Sequence, residues 1–187
     1  MKVLGISGSL RRGSYNTKLL RAAARTLPPA AELEAYDTEG LWRIPPYSED
    51  SEALGAPEPV EDLKRAIAEA DAVLFATPEY NHSVPGQLKN AIDWVSRPVE
   101  TNPLHSKAVA VVGASTSTFG AIWAQADLRR ILAALHARVV DLELPVPYAA
   151  DAFTDDGALR DPEAQATLEQ VLAELMREVA PQLAAAA

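Results

Sequence analysis

Glycine, hydroxyl and guanidinium groups crowd into residues 8–17, directly after the apolar start of the chain. The polar side chains of this segment include Ser9, Arg11, Ser14 and Asn16. An alanine- and leucine-rich stretch follows, so we interpret the segment as a loop that connects a strand to a helix. Backbone N–H groups at a helix N-terminus bind anions, and an arginine adds charge-assisted hydrogen bonds. These residue types and their spacing therefore predict a phosphate site.

The loop does not match two common nucleotide motifs. Gly8 and Gly13 have the spacing of a nucleotide-triphosphate loop, but Ser14 and Tyr15 stand where that loop requires Lys and Ser/Thr. The dinucleotide pattern GxGxxG is also absent from the sequence. A loop for one terminal phosphate remains, with an ordinary strand–helix turn as the alternative.

Two further apolar strands end in polar, glycine-bearing breaks. Residues 78–86 follow the predicted strand at 72–77, and residues 114–120 follow the one at 107–113. In the first of these breaks, prolines and Tyr80 offer a rigid wall, and the residues after Tyr80 offer backbone N–H groups. A flat heterocycle needs such a wall and such donors more than it needs charged side chains.

Apolar runs alternate with helical periodicity along the chain, which is typical of an α/β fold with a parallel sheet. The predicted strands are residues 2–7, 31–36, 72–77, 107–113 and 138–144. The predicted helices are residues 15–27, 60–70, 87–96, 121–137 and 161–179. Five strands favour a flavodoxin-like three-layer sandwich of order 2-1-3-4-5, in a single domain over residues 1–187. In that order strands one, three and four are neighbours, so the three breaks should line one crevice.

Residues 37–59 form a long segment rich in proline, glycine and acidic residues. We interpret it as an irregular, packed surface loop. The alternative is a lid or subunit interface built on Trp42 and Tyr47, because long loops in compact domains are often functional.

Composition excludes several function classes. The chain has 17 basic and 26 acidic residues, a formal net charge of −9 that argues against a nucleic-acid partner. It has no cysteine, which excludes disulfides, thiolate metal sites and cysteine nucleophiles, so redox chemistry would need a bound cofactor. No apolar run approaches the ~20 residues of a membrane span, and we interpret the apolar start as a strand rather than a leader. We therefore expect a cytoplasmic protein with no membrane partner.

With these motifs the sequence resembles the NADPH-dependent FMN reductase family, which comprises flavodoxin-like quinone and chromate reductases. The segment GSLRRGSYN at residues 8–16 matches the family's phosphate loop. The segment PEYNHSVPGQLKNAIDWVSR at residues 78–97 matches its most recognisable stretch. Residues 113–115, together with Gln125 and Leu128-Arg129, match a third segment. The resemblance extends over the whole chain.

The resemblance implies non-covalently bound FMN and NADPH or NADH as co-substrate. It implies that the phosphate and ribityl chain are held by Ser9, Leu10, Arg11, Arg12, Gly13, Ser14, Tyr15 and Asn16. It implies that the isoalloxazine is bound by Pro78, Glu79, Tyr80, Asn81 and His82, with Ser115 at its outer edge. It further implies a small-molecule electron acceptor (a flavin, quinone or metal oxyanion) and assembly as a homodimer or homotetramer.

Two departures from the family pattern lie in the third segment. The family has a glycine where this chain has Ser117, and paired glycines where it has Gly120-Ala121. Because a serine at positive φ would be strained, we expect this loop to follow a different path. Many members carry arginine where this chain has Trp123, so we expect differences in the oligomer contacts or on the nicotinamide side.

We assign no catalytic acid or base and no metal ligand, since a flavin performs the chemistry itself. Glu79 is expected to bind nearby backbone N–H groups or to face solvent. His82 is expected to be a surface histidine, with proton donation to an acceptor as the alternative. A flavodoxin-type electron carrier without its own substrate site is the alternative function. The lack of cysteine disfavours a redox-sensing regulator of the same fold.

Overall fold

The computed structural model describes the backbone of residues 1–186 and the side chains of residues 1–179. The strands are β1 (Lys2–Ser7), β2 (Glu32–Ala35), β3 (Ala72–Thr77), β4 (Ala108–Ala114), β5 (Arg138–Val139) and β6 (Pro145–Val146). The helices are α1 (Tyr15–Thr26), α2 (Thr38–Trp42), α3 (Glu49–Ala53), α4 (Glu58–Glu69), α5 (Gly86–Val95), α6 (Ile122–Ala134) and α7 (Pro162–Ala186). None of the helices in this described part is long and apolar enough to cross a membrane.

The central strands are apolar on both faces because helices cover the sheet on both sides. In β4, Ala108 and Ala110 pack with α1 and α7 in one half of the core. Val109 and Val111 point the other way, toward α4, α5 and α6. Successive side chains of a strand alternate between faces, so β4 contributes to both halves of the core.

All strand pairs are parallel, and the order β2-β1-β3-β4-β5 confirms the predicted flavodoxin-like sheet. The order reverses at β1, and the loops after β1, β3 and β4 leave the same edge of the sheet. That edge, at the carboxyl ends of the strands, is where ligands bind in open parallel sheets.

The prediction of one strand over residues 138–144 is wrong. Only Arg138–Val139, at the start of this range, form a strand (β5), and a second short strand, β6, follows the range at Pro145–Val146. Both pair with β4. The ladder is interrupted between β5 and β6, and it resumes where the Leu144 carbonyl accepts from the Gly113 N–H. The Leu144 N–H donates instead to the side-chain Oε1 of Gln125 at 3.1 Å. The buried Gln125 side chain thus takes the place of a backbone partner from a neighbouring strand. Hydrophobic periodicity does not predict such a side-chain hydrogen bond.

Residues 37–59 are packed as predicted, but they are not irregular throughout, because they contain α2, α3 and the start of α4. The polar side chains of one face of α5 hold this segment. Gln87 donates to the carbonyls of Leu41 and Ile44, and the Trp94 indole N–H donates to the Pro45 carbonyl. Of the two aromatic residues singled out from the sequence, Tyr47 packs edge-on against Trp94 while Trp42 is largely exposed.

Candidate functional site

The three loops after β1, β3 and β4 converge on one cleft of about 340 Å³. This confirms the expectation that the three polar breaks line a single crevice. The cleft is lined by Ser9, Arg11, Tyr15, Asn16, Pro78, Glu79, Tyr80, Ala114, Ser115 and Thr116. Its volume is at the lower end of the range typical of small-molecule sites, about 300–1,000 Å³.

Asn16 ties the first loop to the third. Its Nδ2 donates to the Ala114 carbonyl at 2.9 Å, and its Oδ1 accepts from the Ala114 N–H at 2.9 Å. The side chain is only 2% exposed, so both bonds are shielded from water. Asn16 therefore forms part of the cleft wall and fixes the first turn of α1 against the end of β4.

The first loop presents the N-terminus of α1 to the cleft. Ser14 caps this helix, because its Oγ accepts from the Thr17 N–H at 3.2 Å. No acidic residue occupies the first turn of α1, so its positive dipole end is not compensated there. Arg11 is exposed and lies over the Tyr15 ring, with the guanidinium carbon 4.6 Å from the ring centroid. The stacking holds a cation beside a helix N-terminus, which is an arrangement that binds anions.

The second loop is a tight hairpin. Tyr80 and Ser83 exchange two backbone hydrogen bonds of 3.1 Å, and the intervening Asn81 and His82 have φ values of 52° and 62°. Two consecutive left-handed residues define a type I′ turn, whose twist matches that of a hairpin. The turn lifts both side chains to the surface, outside the set that lines the cleft. Tyr80 remains on the cleft wall beside Pro78.

Glu79 caps a helix that lies far along the chain. Its Oε2 accepts from the N–H groups of Trp123 at 3.0 Å and Ala124 at 3.1 Å, the second and third residues of α6. This confirms the expectation that Glu79 binds nearby backbone N–H groups. The carboxylate compensates the dipole of α6 and is itself engaged, since its side chain is only 8% exposed. Ser83 adds a second link, because its hydroxyl donates to Asp127 on α6 at 2.8 Å.

The third loop takes its left-handed turn later than expected. Ser117 lies outside the left-handed region, so the strain expected there does not arise. Gly120 and Ala121 instead have φ values of 58° and 66°. Only glycine fits at 120, because a Cβ there would lie 2.7 Å from the backbone nitrogen of Val146. Ala121, which is buried, adopts the left-handed backbone conformation although this conformation costs an L-residue roughly 1–2 kcal/mol in free energy.

The structure brings together eight of the fourteen residues predicted from the sequence, namely Ser9, Arg11, Tyr15, Asn16, Pro78, Glu79, Tyr80 and Ser115. The other six do not line the cleft, namely Leu10, Arg12, Gly13, Ser14, Asn81 and His82. Leu10 packs toward the α5 side of the core, and Arg12 and Gly13 face solvent. Ala114 and Thr116 were not singled out, although both lie in the third polar break that the sequence indicates.

The chain is similar in sequence and in structure to known flavin-dependent reductases. The sequence profile of NADPH-dependent FMN reductases matches residues 1–151. The chain is 47% identical over 173 residues to an NAD(P)H-dependent FMN reductase of Pseudomonas aeruginosa, covering 92% of this chain and 91% of that protein. It is 40% identical over 142 residues to a quinone reductase of Escherichia coli K12, covering 75% and 74%. Among solved structures, it superimposes on the flavoenzyme NAD(P)H:(acceptor) oxidoreductase of Paracoccus denitrificans with a TM-score of 0.82, 34% identity and 96% and 97% coverage.

Replacement of Asn16 tests whether this side chain holds the cleft together. Asn16→Ala leaves the buried N–H and C=O of Ala114 without partners, so the free energy of unfolding should fall by about 1–3 kcal/mol. Urea denaturation followed by circular dichroism measures the change. The matched control is Thr116→Ala, an exposed residue of the same cleft, which should stay within about 0.5 kcal/mol of wild type. Equal stability of the two variants would contradict the bridging role.

Proposed function

The chain belongs to the NADPH-dependent FMN reductase family, and from this membership we propose that it oxidises NADPH or NADH and reduces a small-molecule acceptor, with FMN bound in the cleft. The observation that carries the proposal is the convergence of the three loops, with an anion-binding helix end on one side and an apolar, aromatic wall on the other. FMN held in this cleft would supply two-electron chemistry between a nicotinamide and an acceptor.

The residues of the cleft fit FMN. A terminal phosphate suits the N-terminus of α1, where backbone N–H groups and Arg11 face an anion without competition from an acidic side chain. A flat ring system suits the wall made by Pro78 and Tyr80. Ser115 also lines the cleft, on the loop after β4. The fit supports Ser9 and Arg11 as phosphate ligands and Pro78, Tyr80 and Ser115 as contacts of the ring system.

The role of the protein in this proposal is binding and orientation. Glu79 is engaged with the N-terminus of α6, and Asn16 with Ala114, so neither is assigned as an acid or base. Their part is to hold the hairpin and the third loop in register. The relatives named as reductases favour this function over a carrier that depends on a separate reductase.

The proposal extends to the whole chain and to its assembly. Residues of α7 pack into the same core as β4 and α1, which supports one FMN-binding unit over residues 1–187. We propose a homodimer or homotetramer, because large apolar side chains remain exposed away from the cleft. Leu54 is 91% exposed and Val99 61%.

Titration and turnover test the function directly. Purified protein, stripped of flavin and titrated with FMN, should bind it and develop the visible absorbance of a flavoprotein. The loaded protein should then oxidise NADPH or NADH steadily with benzoquinone, chromate or free FMN as acceptor, monitored at 340 nm. The control reaction omits the acceptor. Failure to bind FMN, or turnover that depends on an added reductase, would overturn the proposal.

Removal of the cleft arginine should weaken cofactor binding. Arg11→Ala removes a charged hydrogen-bond donor, so the binding free energy of FMN should weaken by about 1.5–3 kcal/mol, roughly 10- to 150-fold in Kd. Quenching of flavin fluorescence on binding gives the Kd for FMN of the wild-type protein and of the variant. Arg21→Ala is the control, since it removes an equal charge from an exposed position of α1 outside the cleft. Unchanged affinity in Arg11→Ala would remove this residue from the site.

Sedimentation equilibrium tests the assembly. The FMN-loaded chain, whose monomer mass is 20.0 kDa, should sediment at two or four times that mass. A monomer at micromolar concentration would contradict the proposed oligomer without affecting the proposed chemistry.

A further inference from the structure

A group of exposed aromatic side chains lies where the second loop meets the start of α6, beside the cleft-lining Tyr80. We call it the aromatic rim and define it as Tyr80, His82, Phe119 and Trp123. The His82 and Trp123 rings meet edge to face with centroids 4.6 Å apart and planes at 84°. The Phe119 ring also packs against Trp123, with its centroid 4.7 Å from that of the indole. Of the four, Tyr80 lines the cleft and the other three lie outside its lining.

The rim is held in place although its side chains face solvent. Trp123 is anchored through its backbone, because its N–H donates to Glu79, the residue directly before Tyr80. The indole is 39% exposed, while Tyr80 and Phe119 are 55% and 56% exposed. Large aromatic side chains that remain exposed on a fixed frame are typical of a recognition surface. Because the anchor is a backbone group, replacing the indole leaves the Glu79 cap intact.

The charges around the rim do not favour an anion. Among the described residues that line the cleft, Arg11 is the single cation, and it lies at the end assigned to the FMN phosphate. Near Trp123, Glu79 is engaged with the N-terminus of α6, and Asp127 accepts from Ser83 and pairs with Arg130. The rim is thus an aromatic surface whose neighbouring charges are already paired. Flat, uncharged molecules suit such a surface better than oxyanions do.

We propose that Trp123 is a specificity-determining residue for the electron acceptor, selecting extended, planar, uncharged quinones through contact with its indole. The inference rests on the proposed function, because it concerns the acceptor of the same site. The overall reaction converts NAD(P)H, H⁺ and a quinone into NAD(P)⁺ and a hydroquinone. The C–H bond of the nicotinamide breaks, two electrons pass to the quinone, and its two carbonyl oxygens gain the hydride-derived proton and one proton from solvent.

Acceptor kinetics of the FMN-loaded protein test this role. The probes are 1,4-naphthoquinone, a planar uncharged acceptor, and ferricyanide, an anion without a ring to stack. In Trp123→Ala, the ratio of kcat/KM for naphthoquinone to that for ferricyanide should fall about 3- to 10-fold, the scale of one aromatic contact, mainly through a higher KM for naphthoquinone. Trp123→Phe should restore most of the ratio, because it returns an aromatic face.

Trp42→Ala is the matched control, since it removes an exposed tryptophan that lies outside the cleft and the rim. It should leave the ratio at the wild-type value. FMN affinity is measured in every variant by fluorescence titration, and it should be unchanged in Trp123→Ala.

The outcomes separate the two proposals. If the wild-type protein reduces neither acceptor, the proposed function itself fails. If the wild type reduces both and Trp123→Ala keeps the wild-type ratio, only the role of Trp123 is overturned. If Trp123→Ala instead loses FMN affinity in parallel with activity, the indole acts on the cofactor and the acceptor role is also overturned.

Discussion

The geometry of the cleft depends on the pair of hydrogen bonds between Asn16 and Ala114. These residues are 98 positions apart. Asn16 lies in α1, which follows β1, and Ala114 ends β4, so the bonds reach across the position of β3 in the sheet. Where parallel strands end, their last N–H and C=O groups lose ladder partners and must find others if they are buried. Asn16 supplies both a donor and an acceptor from one side chain. The loop after β1 and the loop after β4 are therefore held at a fixed separation, and the space between them is the cleft.

Two helix N-termini at this edge of the sheet differ in whether an acidic side chain compensates their positive dipole end. The first turn of α1 carries no acidic side chain, so its positive end faces the cleft. The start of α6 is occupied by the Glu79 carboxylate, which is partly buried and accepts two backbone N–H groups. An anion is therefore favoured at the first loop and not at the third. This difference gives the cleft a direction, with a phosphate end at α1 and an aromatic end at the hairpin.

Local patterns in the sequence predicted the central layer of the fold well. The bounds of β1 and β3 agree with the prediction because continuous apolar runs identify strands buried on both faces. Glu79 was also interpreted correctly, since a carboxylate beside a buried strand end has few partners other than backbone N–H groups. The failures involve contacts that no local pattern records. Gln125 accepts from the Leu144 N–H where the last strand is broken, and Gln87 holds a segment 43 to 46 residues away. The left-handed backbone at Asn81 and His82 follows from a hairpin that the usual Asn-Gly signal does not mark.

In the phosphate loop, the polar residues of the sequence outnumber the side chains that are free to bind an anion. Ser9, Arg11, Ser14 and Asn16 together read as four ligands for one anion. In the folded chain the Ser14 hydroxyl caps α1, and the Asn16 amide is bonded on both sides to Ala114. Anion binding is left to Ser9, Arg11 and the backbone N–H groups of the helix end, which is a small set of donors with one full positive charge. Such a set matches a single terminal phosphate, whereas a triphosphate would need the lysine and metal-binding hydroxyl that the loop lacks. The polar residues that build the loop thus limit the charge it can bind, and that limit favours a monophosphate cofactor such as FMN.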